Sequence, residues 1–300
     1  MDIPAFAAEQ ARRRLERLAF QVSAANKSLG AEAVHELRVA IRRCTQALTV
    51  FKACFPRREL KKVRRELKQA MTAAGPVRDC DIAVELLSKT SVRGAGALSA
   101  RFRSARKSKE KALAALVRRW SARRSISKWC EALELNAPRS CDGTVESTAG
   151  SMLRRLGKEY YRCGEKAAAR GASGEELHEF RIFAKKFRYS IELFSSVYPG
   201  GLEEQTGQVK EIQSLLGTIN DYNAVRTMVQ ESGKHPELQA ALKKSQKQKV
   251  RKFRKLWTTQ FPGSGDAKRW IAQFDSLLPS RKPVARAKRP AVAAATAAKA

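Results

Sequence analysis

Hydrophobic positions recur at the period of the α-helix along most of the chain. From Val34 to Phe51, VHELRVAIRRCTQALTVF sets Val34, Leu37, Ile41, Cys44, Leu48 and Phe51 on one stripe, the spacing of a helix that buries a single face. The stripe is written again from Leu177 to Phe194, LHEFRIFAKKFRYSIELF, as Leu177, Phe180, Ala184, Phe187, Ile191 and Phe194. Both stretches run out at an aromatic and a proline, Phe55-Pro56 and Tyr198-Pro199. Proline there donates no helical hydrogen bond and disfavours helical geometry in the residue before it. The matched positions keep one constant offset, so the chain reads as a duplicated helical unit.

The remaining elements follow the same period. Ala11, Leu15, Leu18 and Val22 predict a first helix over Ala7 to Ala25, with a turn over Asn26 to Gly30. A basic helix over Arg57 to Ala73 turns Val63, Leu67 and Met71 inward. The glycine and proline of GPVRDCDIAVELL, Gly75 to Leu87, predict a break or kink. Its counterpart is LLGTINDYNAV, Leu215 to Val225, in which Gly217 answers to Gly75 and Asp221 to Asp79, one residue short of the first offset. Helix is expected over Ser99 to Leu135, a linker over Asn136 to Thr148, and helix again from near Ser151 to Gly171. Ser173 and Glu176 fit a capping box, and the last helices fall at Lys234 to Trp257 and Lys268 to Leu278. The stretch from Pro279 to Ala300, rich in Ala, Lys, Arg and Pro, has no large apolar anchors and is expected to be a disordered tail. No run reads as a strand. The expectation is an all-α fold of two similar halves, about 7–135 and 149–278.

The polar faces of the repeated helices are basic. At 3.6 residues per turn His35 and Arg42 lie about 20° apart around the axis, with Arg38 beside them. The second copy sets His178, Arg181, Lys185 and Arg188 outward, while Lys186 answers to Arg43. Sixty Lys and Arg against 29 Asp and Glu leave a formal charge of +31. Such a surface repels itself unless a polyanion is present, which points to polyphosphate, nucleic acid or an anionic membrane. Arg12, Arg13 and Arg14 precede any apolar run, and no stretch of about 18 apolar residues occurs. A cytoplasmic, non-membrane protein is expected.

Sites for chemistry are scarce. Cys44, Cys54, Cys80, Cys130, Cys141 and Cys163 form no CxxC pair and read as small apolar residues in a reducing compartment. HExxH and GxxxxGK[ST] are absent. Asp79 and Asp221, one per half, are read as partners of arginines or as caps rather than as catalytic acids or ligands of a metal. No cofactor and no catalytic residue is expected. The run from Arg101 to Lys111 reads equally as a solvated face or as a widening of an anion track.

The combination VHELRVAIRR and LHEFRIFAKKFRY, each followed some forty residues later by GPVRDCD or LGTINDYN, resembles the CHAD family, the conserved-histidine α-helical domain. The resemblance covers nearly the whole chain, and the domain is assigned to residues 1–278. It implies two pseudo-symmetric helical hairpin bundles around a basic groove or cavity, binding inorganic polyphosphate, in proteins that stand alone or carry a triphosphate-tunnel domain. Carried over residue by residue, the polyphosphate-binding set is His35, Arg38, Arg42, His178, Arg181 and Lys185. Arg43, Lys186 and Arg188 flank it, and Lys68 and Lys210 lie in the helices leading to the Gly-containing motifs. Gln46 and Thr49 stand where the family more often has arginine.

The expectation is therefore a non-enzymatic polyphosphate binder at polyphosphate granules or the nucleoid. Its oligomeric state is left open. One alternative is non-specific nucleic-acid binding, with the tail touching DNA. Phe51, Phe180, Phe187 and Phe194 fall on buried stripes, however, whereas single-strand binders expose aromatics for stacking. Another is an accessory role to a phosphoanhydride-hydrolysing enzyme, although the ExExK signature of the triphosphate-tunnel domain does not occur here.

Overall fold

The computed structural model describes residues 2–135, 143–261 and 263–277, and every named element among them is helical. The first part of the chain forms α1 (Ile3–Lys27), α2 (Ala31–Val50), α3 (Arg57–Ser88), α4 (Ala95–Ala122) and α5 (Ser125–Ala132). The second forms α6 (Val145–Ala168), α7 (Gly174–Phe194), α8 (Glu203–Glu231), α9 (Pro236–Gln260) and α10 (Ser264–Asp275). A single 3-10 turn follows α2 at Lys52–Cys54 and another follows α7 at Ser195–Val197. Neighbours in sequence pack in space, α1 on α2 on α3 on α4 and α6 on α7 on α8 on α9, while α2 meets α7 and α3 meets α8 across the middle.

Both stripes are buried along their whole length, each large side chain contributing about 1.5–3 kcal/mol. Their last residues meet: the rings of Phe51 and Phe194 pack edge to face at 5.7 Å, and Phe6 of α1 stacks on Phe194 at 6.1 Å. The main core runs along α3 as far as Val77 and along α8 as far as Ile219, and a smaller core resumes at Ala83 and Val225. Between the two lie Arg78, Asp79 and Asp81 on α3 and Asn220 and Asp221 on α8. A charged layer, half-buried apart from the exposed Asp79, thus separates the two cores where the two Gly-Asp motifs sit.

Helix α9 is locked to α6 by a close approach that only glycine permits. A Cβ on Gly164 would lie 1.9 Å from the Trp257 ring, and Trp257 belongs to an aromatic cluster with Tyr160 at 5.6 Å and Phe180 at 5.3 Å.

The capping box of Ser173 and Glu176 is present, Glu176 N–H donating to Ser173 Oγ at 3.1 Å and Ser173 N–H to Glu176 Oε2 at 2.7 Å. Three boundaries differ most from expectation. The Gly75-Pro76 step does not end a helix, because α3 runs through it. A proline φ fits a helix, and the carbonyl of Thr72 that it deprives of a donor belongs to an exposed residue that water can reach. Helix α6 starts at Val145 rather than near Ser151, capped by a reciprocal Thr144–Ser147 box. The expected helix over Ser99 to Leu135 is broken at Arg124, which adopts a left-handed φ of 47°. Residues 136–142 of the expected linker, Leu278 at the end of the last expected helix and the whole expected tail, 279–300, lie outside the described residues. No described helix is long and apolar enough to cross a membrane.

Candidate polyanion groove

A groove of about 1440 Å³ opens between α2, α3 and α7. Its lining holds twelve Lys and Arg and no Asp or Glu: Arg42 from α2, Lys52 from the turn after it, seven cations from the start of α3, and Arg181, Lys185 and Lys186 from α7. The α3 set is Arg57, Arg58, Lys61, Lys62, Arg64, Arg65 and Lys68. These positions recur at three- and four-residue steps, so a single helix presents them along one side. The two acids of the same stretch do not oppose them all. Glu59 pairs with Lys62 at 2.8 Å, and Glu66 turns to α4, accepting from Arg119 at 2.9 Å and from the Trp120 indole at 3.1 Å. Phe55, Leu60 and Leu67 lie beneath as floor.

Behind the lining stands the charged layer. Arg38 donates to the carbonyl of Met71 at 3.2 Å, and Arg42 donates to the Tyr189 hydroxyl at 3.3 Å. Burial holds the guanidinium of Arg38 below its ordinary pKa, with Arg42 adding to the effect and Asp79 opposing it. Burial likewise lowers that of Arg181, against a raising pull from Asp221. The Nε of Arg181 is buried with no protein acceptor. Asp79 and Asp221 are both pushed up by burial and pulled back by arginines, chiefly Arg38 for the first and Arg181 for the second. Lys185 feels this environment most. Burial, then Arg181 and Arg42, bring its ammonium from the ordinary 10.5 down to about 7, with Asp221 opposing.

Of the residues singled out in the sequence, Arg42, Lys68, Arg181, Lys185 and Lys186 line the groove, and Arg38 backs it. The others are placed elsewhere. Arg43 forms a two-pronged pair with Glu192, at 3.0 and 3.3 Å, and lies over the Tyr189 ring. Arg188 is buried against the same Glu192, at 3.5 Å, and the same ring. Arg43 thereby ties α2 to α7, whereas the contacts of Arg188 stay within α7. Lys210 is exposed on α8, which contributes no groove residue. His178 faces Asn220, Nδ1 to Oδ1 at 3.0 Å, in a separate pocket of about 280 Å³. His35 is half-buried beside Arg78, and burial with that charge lowers its pKa. It is therefore a neutral imidazole with one N–H at neutral pH.

Gln46, where arginine was more usual, lines the groove and donates to Ser190 at 3.0 Å, a third polar link between α2 and α7 after those of Arg42 and Arg43. Thr49 bonds back to the carbonyl of Thr45. In the run from Arg101 to Lys111, Arg106 is structural, reaching Asp81, Glu110 and the Leu29 carbonyl. Cys44, Cys54 and Cys80 are buried, and Cys130 and Cys163 half-buried, as free thiols.

The fold has counterparts. The structure matches the crystal structure of the CHAD domain from the plant Ricinus communis with a TM-score of 0.65 at 20% identity, covering 92% of each chain. It also matches PptA from Streptomyces chartreusis with a TM-score of 0.60 at 13% identity, covering 88% of this chain and all of that one. No curated protein shows significant similarity to the sequence. The CHAD-domain family model matches residues 7–230, three quarters of the chain and all of the groove-forming helices, and the chain belongs to the CHAD-domain family.

Proposed function

We propose that this protein binds inorganic polyphosphate in the groove between α2, α3 and α7, without chemical turnover. The observation that carries the reading is the lining of twelve cations with no carboxylate. A linear polyphosphate offers repeated charge and no bases, so its recognition calls for many converging donors and no stacking platform. Arginine forks supply paired, charge-assisted hydrogen bonds to phosphate oxygens, and Arg42 and Arg181 bring such forks to the groove from α2 and α7. The family's association with polyphosphate supports the same ligand. A place at polyphosphate granules follows from it.

Competition of long polyphosphate against single- and double-stranded DNA at physiological salt tests the choice of ligand. Polyphosphate is expected to displace both, and a preference for DNA would overturn the reading. Affinity should fall steeply with salt, by analogy with counterion release, where log K changes by about −0.7 to −0.9 per phosphate neutralised for each unit of log salt. Free phosphate assayed alongside should stay at background, since a steady release would make the protein a hydrolase.

The pH response is expected to come from Lys185. A bound anion favours its charged form, so binding takes up a proton when the free amine is neutral. Affinity should be flat below the free value of about 7 and fall as pH rises above it, by up to about tenfold per unit. Lys185→Arg should bind with similar strength and lose that slope, because guanidinium stays charged throughout. Isothermal titration in buffers of different ionisation enthalpy reads the proton directly. An unchanged slope in Lys185→Arg would assign the response to another group.

A further inference from the structure

Helix α9 lies beyond the residues that the family model covers, and it carries a second basic surface. After Glu237 it has eight Lys and Arg and no acid up to its end at Gln260. Lys243, Lys244, Lys247, Arg251 and Lys255 are exposed. At 100° per residue all five fall within an arc of about 120°. Leu242, Phe253 and Trp257, which are buried, lie on the opposite side. Lys243, Lys247, Arg251 and Lys255 form one row that rises about 6 Å along the axis and turns about 40° at each step. Among the described residues no carboxylate pairs with any of them, although ten or more carboxylates elsewhere on the molecule hold cations. None lines the groove. Five like charges on one face repel one another along α9, a cost that a bound polyanion relieves.

We infer that this row is a second polyphosphate-binding surface, independent of the groove, so that one protein engages two chains and links them together. The inference rests on the polyphosphate reading for the identity of the ligand. A flexible, unbranched anion can follow a convex ridge that winds part-way round the helix for its whole length. A nucleic-acid duplex, whose backbone curves away, meets such a ridge at fewer phosphates. Single-stranded nucleic acid finds no aromatic to stack on, since Phe253 and Trp257 are turned into the core. Bivalency changes what the groove alone can do. A one-site protein decorates a polyphosphate chain, whereas a two-site protein condenses chains into a network.

The test uses the full chain and a short, monodisperse linear polyphosphate in calorimetry, then long polyphosphate in light scattering. The wild type is expected to take two short chains and to scatter with long ones. Replacing Lys243, Lys247, Arg251 and Lys255 by glutamine keeps helix propensity and leaves the buried face untouched. That variant should take one short chain with the groove affinity changed less than about twofold, and scattering should drop at least tenfold. A control with Arg103, Arg118, Arg123 and Lys128 replaced by glutamine loses equal charge and should behave like the wild type. A wild-type stoichiometry of one, or two chains retained by the α9 variant, would overturn the inference. So would an α9 variant that loses duplex DNA but keeps its second polyphosphate. Failure of the groove reading appears separately, as tight first-chain binding that survives replacement of Arg42 and Arg181.

Discussion

Replacing Arg42, Arg181 and Lys185 together by alanine should weaken polyphosphate binding at least about a hundredfold. The three side chains come from α2 and α7, converge on one groove and stand in a partly dry setting that holds Lys185 near neutrality. Hydrogen bonds to charged groups contribute about 1.5–3 kcal/mol each, and about 1.4 kcal/mol is a factor of ten in affinity. Three such losses exceed a hundredfold even if they overlap, as neighbouring groups do. Arg118, Arg123 and Lys128 make the matching control, because all three are exposed and away from the groove. Their loss should cost less than about threefold, in keeping with the weak, screened influence of surface charge. Arg119 is unsuitable as a control, since it pairs with Glu66 and so braces α3 against α4. Circular dichroism should show the triple groove variant fully helical. Relieved repulsion among the cations is offset by buried Asp221 losing Arg181 and Lys185 as its compensating charges, so the unfolding temperature should fall modestly. Equal weakening by the groove and control triples would reduce the groove to a share of overall charge.

Gly164→Ala should be the most damaging small substitution outside the site. Its methyl group would sit 1.9, 2.3 and 2.4 Å from three atoms of the Trp257 ring, which is itself packed against Tyr160, Phe180 and Phe261. A six-membered ring held on several sides has no flexible end to swing away. Overpacking of this kind costs about 3 kcal/mol, which for a chain of this size lowers the unfolding temperature by roughly 5–10 °C. Gly174→Ala is the comparison, because a Cβ there meets nothing within 4 Å. It should change stability little. The effect on Gly164→Ala also bears on α9, which should loosen from α6 before the rest of the molecule unfolds. Hydrogen exchange along α9 would report it. Unaltered exchange and an unaltered melt would mean that the α6–α9 contact is looser than described.

The helices were legible because burial imposes a period, and the period survives in the residue types. Every position of the stripes Val34 to Phe51 and Leu177 to Phe194 is buried as the spacing required. The Ser173–Glu176 cap was legible for a similar reason, since its partners are three residues apart and need no tertiary knowledge. What the pattern could not carry was the fate of each charge. Arg43 and Arg188 look like Arg42 and Lys185 in one dimension, yet Glu192 claims both of them. For Arg43 that acid is 149 positions away. The histidines that head the two motifs are likewise separated from the groove lining by contacts made on folding, His178 by Asn220 on α8. The cations of α3, from Arg57 to Lys68, were visible as a basic helix, but apart from Lys68 nothing marked them as a site. Their signal was density: two acids among them, one turned away to α4. The groove is accordingly more lopsided than two matched faces imply, with α3 supplying what α8 does not.

Lysine acylation footprinting with one equivalent of short polyphosphate tests the groove most directly. The full chain would be modified briefly with and without ligand, and each lysine read by mass spectrometry. Lys61, Lys68, Lys185 and Lys186, which line the groove, should be protected most. Lys128 and Lys166, exposed and outside it, should react as in the free protein. Protection spread evenly over all exposed lysines, or concentrated away from α3 and α7 while those four stay reactive, would contradict the groove as the place where polyphosphate binds.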